Sequence, residues 1–443
     1  MKAGWSEIDI TPPLGTALGG DPGRDHGYQV VYDPAMAQVL ALEDQAGARL
    51  GVVTLDVTGI LWRDRERIAA AVEERCGLPP HHLLLNCSHS HSAPALEVDT
   101  HNHPPRDLYA CRDRLAEYRT WFLEAVAGAV GQALRSLRPA KLFFGKGQSG
   151  VGISRRLVVD GKAQFMPSPE GFYDRDLAVV AVGPSADDLR ALLFVHGCHA
   201  TTRYGGEHRY ALSADYPGAA RRHLNQALGQ RVLTMFGQGA GADIRPPAID
   251  ENGRFRAGTH EDVEKMGAQL AQDVVSVLRG HLREIENPRF AATLSFAGIP
   301  LQPPPAPQEL ERLSQDPEAY SYRRLWADRL LAFLGRGECV PAYLPLPIQV
   351  LRLDSEHLVV GLGHEVVSKL GAMVKEALAP AETALMAYCN AAEVYIPTAQ
   401  MLSEGGYEPE GYMWGVYPAP VAESVDEVIL TKVREIVRKT EAT

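Results

Sequence analysis

The stretch Leu83-Leu84-Leu85-Asn86-Cys87-Ser88-His89-Ser90-His91-Ser92-Ala93-Pro94 constrains the fold more than any other part of the sequence. An apolar run of strand length breaks off into small polar residues, and two histidines stand there two positions apart. Side chains at i and i+2 of an extended chain point to the same side, so His89 and His91 can face one cavity. Imidazole is the commonest nitrogen ligand for zinc, and strand ends are where α/β folds place their chemistry. Alone, the pair also fits two surface loop histidines.

The flanking pattern sets the architecture. Residues 50–56 read as a buried strand ending on an acid, and a helix follows at about 62–75, stopped by Gly77 and Pro79. After the 82–87 strand, Leu115, Trp121, Phe122, Val126, Val130 and Leu134 recur at helical spacing over about 112–137. This alternation predicts an α/β fold, layered in the α+β manner around mixed sheet. Residues 141–183 are strand-rich, and 191–195 open a second cycle with helices at about 217–228 and 259–280. The run Gln302-Pro303-Pro304-Pro305-Ala306-Pro307 predicts surface polyproline before a charged helix at about 308–335. Strand-like patterning returns from 351 to 362 and from 384 to 396, and a last helix spans about 424–438.

Composition excludes several classes. A net charge of −11 over 443 residues argues against nucleic acid or an anionic membrane surface as partner. No window of about 20 residues is continuously apolar, and the N-terminus has no apolar signal segment, so no stable membrane association is expected. Six scattered cysteines without a C-x-x-C pair point to reduced thiols in a cytoplasmic protein.

Four further stretches carry chemistry. Val195-His196-Gly197-Cys198-His199 puts histidines at a second strand end, with His196 read as a satisfied imidazole in the core or one that supports a metal ligand from behind. Gly237-Gln238-Gly239-Ala240-Gly241-Ala242-Asp243-Ile244-Arg245 lets backbone approach a ligand closely, but no Gly-Lys-Ser/Thr follows, so it is no phosphate loop. Gly363-His364-Glu365 places a carboxylate where a strand leads into a helix. Tyr395-Ile396-Pro397-Thr398, followed by Gly406-Tyr407-Glu408, supplies phenols.

Taken in order, these pieces resemble the neutral/alkaline (non-lysosomal) ceramidase family of zinc amidases. The resemblance rests on Ile8-Asp9-Ile10-Thr11-Pro12-Pro13, Ser88-His89-Ser90-His91-Ser92, Ile153-Ser154-Arg155-Arg156, Cys198-His199-Ala200-Thr201, the glycines before Asp243, Gly363-His364-Glu365 and Tyr395-Ile396-Pro397-Thr398. It implies a zinc ion held by His89, His199, Glu365 and Tyr395. It also implies that His91, Arg155 and Tyr407 work beside the metal, on the catalytic side, and that residues 1–443 form one ceramidase-like catalytic domain. In the family the glycine-rich stretch ends Gly-Asp-Val-Ser-Pro, and its serine is assigned to amide cleavage. Here Arg245 stands at that position, and an arginine is neither nucleophile nor base, though it binds carboxylates well. The chain also ends where the family's immunoglobulin-like domain would begin.

The expectation is therefore a zinc-dependent hydrolase that uses zinc-activated water on an amide or ester of a small anionic metabolite rather than on ceramide. His91 would move a proton, and Arg245, Asp243 and Gly239 would bind substrate. A zinc-dependent lyase, isomerase or cyclase is the second reading, because losing the serine removes the residue committed to acyl transfer. A non-catalytic binding protein stabilised by its metal is the third. Cys87 and Cys198 lack the cationic neighbours a nucleophilic thiol needs. The loops 97–110 and 302–345, with His101, His103, Arg106 and Trp326, are expected at the entrance, and homo-oligomer formation stays open.

Overall fold

Three mixed sheets, each with one parallel strand pair at its edge, frame the chain. The computed structural model describes every residue except 22, 97–110, 204–205, 230–231, 415–416 and 442–443. The first sheet runs Leu83–Cys87, Arg49–Leu55, Met36–Glu43, Lys2–Asp9 and Arg138–Pro139. The second runs Leu233–Gln238, Ala191–His196, Asp176–Gly183, Lys141–Gln148 and Arg283–Ile285, and the third Ala291–Pro300, Tyr343–Arg352, His357–Leu362 and Glu382–Met386.

In each sheet the edge strand is parallel to its neighbour and all other pairs are antiparallel. A parallel pair needs a crossover, and helices Trp62–Cys76, Asp215–Ala227 and Ser368–Ala377 supply the three. The sequence pattern showed two such cycles; the third is the one hidden in the strand-like patterning after residue 351.

The strands alternate between two apolar environments, as side chains on a strand must. Val52 and Leu84 pack with Val180, Leu193 and Met235 of the second sheet and with Leu351, Val359 and Met386 of the third. Their sequence neighbours Val53 and Leu85 face the other way, onto Ile68, Val72, Phe122 and Val126 of the two helices.

An exposed edge strand is a liability, and here three edges dispose of one another. Asn86, fully buried, donates from Nδ2 to the carbonyls of Ala387 at 2.6 Å and Gln238 at 3.2 Å, and accepts the Gln238 N–H at 2.9 Å. The Ala387 N–H donates to Gln238 O at 3.0 Å, and Asn390 N–H to Leu85 O at 2.9 Å. One amide side chain thus ties together the last strands of all three sheets.

Two expectations need correction. The charged helix expected over about 308–335 is two helices, Pro307–Gln315 and Ser321–Gly335, because Pro317 forces Asp316 out of helical conformation (ψ 110°). Trp326 does not line an entrance: it is 2% exposed, packs with Leu310 and Met413, and donates its indole N–H to Tyr417 O at 2.7 Å. His101, His103 and Arg106 lie outside the described residues.

Removing the amide at Asn86 strands Gln238 N–H and Ala387 C=O in the core, and each buried unpaired group costs about 1–3 kcal/mol. Asn86→Ala is therefore expected to lower the unfolding free energy by about 2–6 kcal/mol in a denaturant titration.

Candidate metal centre

The three parallel edges end side by side, and the residues just beyond those ends build the centre. Past Cys87 the chain turns through His89 in left-handed conformation (φ 57°), fixed by Ser88 N–H on Leu55 O and His89 N–H on Val57 O. His91 N–H donates to Ala200 O at 3.0 Å, which binds the first sheet's loop to the second's. Glu365 stands opposite Tyr395 in a short parallel pair. Among the described residues six non-glycines have positive φ, and four of them, His89, His364, Tyr388 and Asn390, flank this centre. Backbone strain of this kind collects where a site over-determines its geometry.

His91 Nε2 lies 3.2 Å from both His89 Nε2 and His199 Nε2. Glu365 Oε2 lies 3.2 Å from His89 Nε2 and 3.6 Å from His199 Nε2. Donors at the corners of a tetrahedron around zinc, with bonds of about 2.0–2.1 Å, stand roughly 3.3 Å apart, so this set fits one metal ion. His89, His91 and His199 form a group able to hold a metal ion. The orphaned atom is Glu365 Oε2, which is buried and meets no donor in hydrogen-bonding geometry. His89 Nδ1–H donates to the Thr58 carbonyl at 2.5 Å, which leaves the Nε2 lone pair facing the centre. The Tyr388 hydroxyl stands 3.3 Å from His199 Nδ1.

The electrostatics favour a cation. Burial, then the neighbouring His89 and the arginines 24, 245 and 155, hold the His91 pKa well below the usual imidazole value. Burial, His89 and Arg155 do the same to His199. Both rings are therefore neutral near pH 7, the form that binds metal. Burial alone would raise Glu365, but His89 and the Tyr395 hydroxyl hold its carboxyl below the usual range. The Tyr395 ring lies parallel to His199 at 6.4 Å between centroids, and burial pushes its phenol well up.

A wall of arginines and aromatic rings closes one side. The Arg155 guanidinium sits 4.9 Å from the Tyr407 ring, 5.3 Å from Phe165 and 5.5 Å from Tyr395. Arg245 lies 4.8 Å over Phe255 and 5.6 Å from Phe165, with Nε 3.4 Å from Thr201 Oγ1. Its charge acts on both His91 and His199.

The geometry thus brings His89, His91, His199, Glu365, Tyr395, Arg155, Tyr407 and Arg245 together. The two remaining expected residues sit further back. Asp243 receives the Ser368 N–H at the start of helix Ser368–Ala377, at 2.7 Å, and its carbonyl receives the Arg155 N–H. Gly239 packs on the backbone of Gly197: a Cβ there would lie 3.0 Å from Gly197 N, so glycine serves close approach of strand ends, not ligand contact. His196 is a satisfied core imidazole, 2.6 Å from the Tyr173 hydroxyl. Cys87 and Cys198 are fully buried, and burial pushes both thiols up. Sequence reasoning missed Thr58, Arg156 and the role of Glu408, all of which act through other residues. The run Gly406-Tyr407-Glu408 carried the one signal, an acid next to an expected site residue.

Comparison with known proteins bears on the fold. No protein-family model and no curated protein sequence matches the chain. Among solved structures, it is similar to a ceramidase complexed with C2, over 99% of this chain and 75% of that one, with 14% identity and a TM-score of 0.72. It is similar likewise to a neutral ceramidase from Pseudomonas aeruginosa, over 98% and 73%, with 15% identity and a TM-score of 0.70. The chain has the fold of the neutral ceramidases. Among the described residues no helix is long and apolar enough to cross a membrane.

Burial, then the nearby Glu408, raises the Asp243 pKa to about 6. The folded protein thus holds this proton more tightly than the unfolded chain, so the stability it contributes is full below pH 4 and falls away up to pH 6. Asp243→Asn keeps the acceptor for Ser368 and loses this titration. Relative to the parent it should gain up to about 3 kcal/mol between pH 4 and pH 7 in denaturant titrations.

Proposed function

We propose that the protein is a zinc-dependent hydrolase that cleaves an amide or ester of a small anionic metabolite. The observation that carries this reading is that Glu365 Oε2 stands 3.2 Å from His89 Nε2 and 3.6 Å from His199 Nε2, tetrahedral spacing for one metal ion, with His91, Arg155 and Arg245 beside them. His89, His199 and Glu365 would hold the ion, with Tyr395 as the fourth protein ligand. A bound zinc supplies Lewis acidity toward a carbonyl and lowers the pKa of water toward about 7.

The chain's own residues then divide the work. Neutral His91, its Nε2 3.2 Å from both His89 and His199, is placed to take a proton from the nucleophile and return it to the leaving group. The buried Arg155 supplies an N–H for negative charge that grows on the carbonyl oxygen. Arg245 binds an anionic group of the substrate, and Phe165, Phe255 and Tyr407 pack against the two guanidiniums. The similarity to ceramidases supports amide or ester cleavage, and Arg245 in place of the family serine supports a different substrate.

The test is turnover by the metal-replete protein across N-acyl amino acids, lactones and small amides. Hydrolysis is expected, with one oxygen from labelled water in the product; label-free product would point to lyase or isomerase chemistry at the same centre. His89→Ala should lose bound zinc by elemental analysis and all activity. His91→Ala should keep zinc and lose roughly 100-fold or more in kcat, as removal of a general base does; loss of zinc would make His91 a ligand instead. Arg245→Gln should raise KM for anionic substrates at least tenfold and leave neutral ones nearly unchanged, about 1.4 kcal/mol of selective binding.

A further inference from the structure

Glu408 stands between two consecutive arginines and divides its carboxylate between them. Its Oε1 accepts from Arg155 Nε at 2.8 Å and its Oε2 from Arg156 Nη1 at 2.5 Å. All three are buried, at 1%, 3% and 6% exposure. A carboxylate facing a lone guanidinium takes it bidentately, with both oxygens along one edge. Arg156 prevents this by drawing Oε2 away. The sharing is uneven. Arg156 Nη2 also meets Glu404 Oε2 at 3.0 Å and the Gly405 carbonyl at 2.9 Å, whereas Arg155 has one carboxylate oxygen. Arg155 Nη2 is left buried without an acceptor in hydrogen-bonding geometry, the Tyr395 hydroxyl being the guanidinium's other polar neighbour. The rings of Phe165, Tyr395 and Tyr407 stand around the guanidinium at 4.9–5.5 Å. A buried charged donor left unmade is costly, and such a donor beside a cleft is one a ligand can satisfy.

We propose that Arg156 is a positioning residue that holds Glu408 off Arg155 Nη2 and so keeps that N–H as a receptor for a carboxylate oxygen at the metal centre. The inference rests on reading the centre as a site for anionic substrates, but its test needs no turnover. Propionate is titrated calorimetrically into the full chain, as purified and after chelation, so that absence of catalysis and absence of the receptor are told apart. The parent is expected to bind in both states. Arg155→Gln should abolish binding in the chelated protein. Arg156→Gln should weaken it at least tenfold, because Glu408 closes on Arg155, while Arg156→Lys, which keeps a cation on Oε2, should stay within about threefold of the parent. Melting temperatures check that each variant is folded. If Arg156→Gln does not fold, Arg156→Lys decides: binding near the parent's supports the proposal, and a tenfold loss in a folded protein overturns it. Parental binding by folded Arg156→Gln, or no binding by the parent, also overturns it.

Discussion

The structure depends on one buried amide. Asn86 joins the last strands of three sheets through two donated bonds and one accepted one. Without such a tie, three parallel edges would each present unpaired backbone, and nothing would hold their ends in register. With it, His89, His199 and Glu365, each two or three positions beyond a strand of a different sheet, meet within a few ångströms. The separation along the chain, from His89 to Tyr395, is bridged by the same contact that closes the core. A polar group so placed specifies one arrangement rather than adding much net stability, since any other pairing of the edges leaves it unsatisfied.

A second constraint is electrostatic. Three imidazole nitrogens and a carboxylate oxygen share one buried spot, and their mutual spacing suits a cation at the middle. The chain maintains that arrangement from behind: Thr58 and Tyr388 stand at the far nitrogens of His89 and His199. Around it aromatic faces pack on Arg155 and Arg245, and Glu408 pairs with Arg155 and Arg156.

Much of this was legible in the sequence, for reasons that differ by element. The strand and helix of the first two cycles announce themselves through apolar runs and 3.6-residue periodicity, and the ligand types stand next to them. The third cycle was only half read: a strand leading into a helix showed at Gly363-His364-Glu365, but not that this helix, Ser368–Ala377, returns the chain to a parallel neighbour. The split of the charged helix at Pro317 was readable from the proline itself. Asp243 and Gly239 were expected at the substrate because they lie in a glycine-rich stretch, but that stretch is tight so that strand ends can touch. Arg156 and Glu408 stood in stretches the sequence singled out, but their roles arise only when residues about 250 positions apart become neighbours.

The central claim is that the three edges converge to hold one metal ion. Anomalous X-ray diffraction at the zinc edge, on crystals of the zinc-replete protein, tests it most directly. The account predicts a single strong peak per chain bonded to His89 Nε2, His199 Nε2 and Glu365 Oε2. A map without density among these residues, or with its peak elsewhere on the chain, would contradict it.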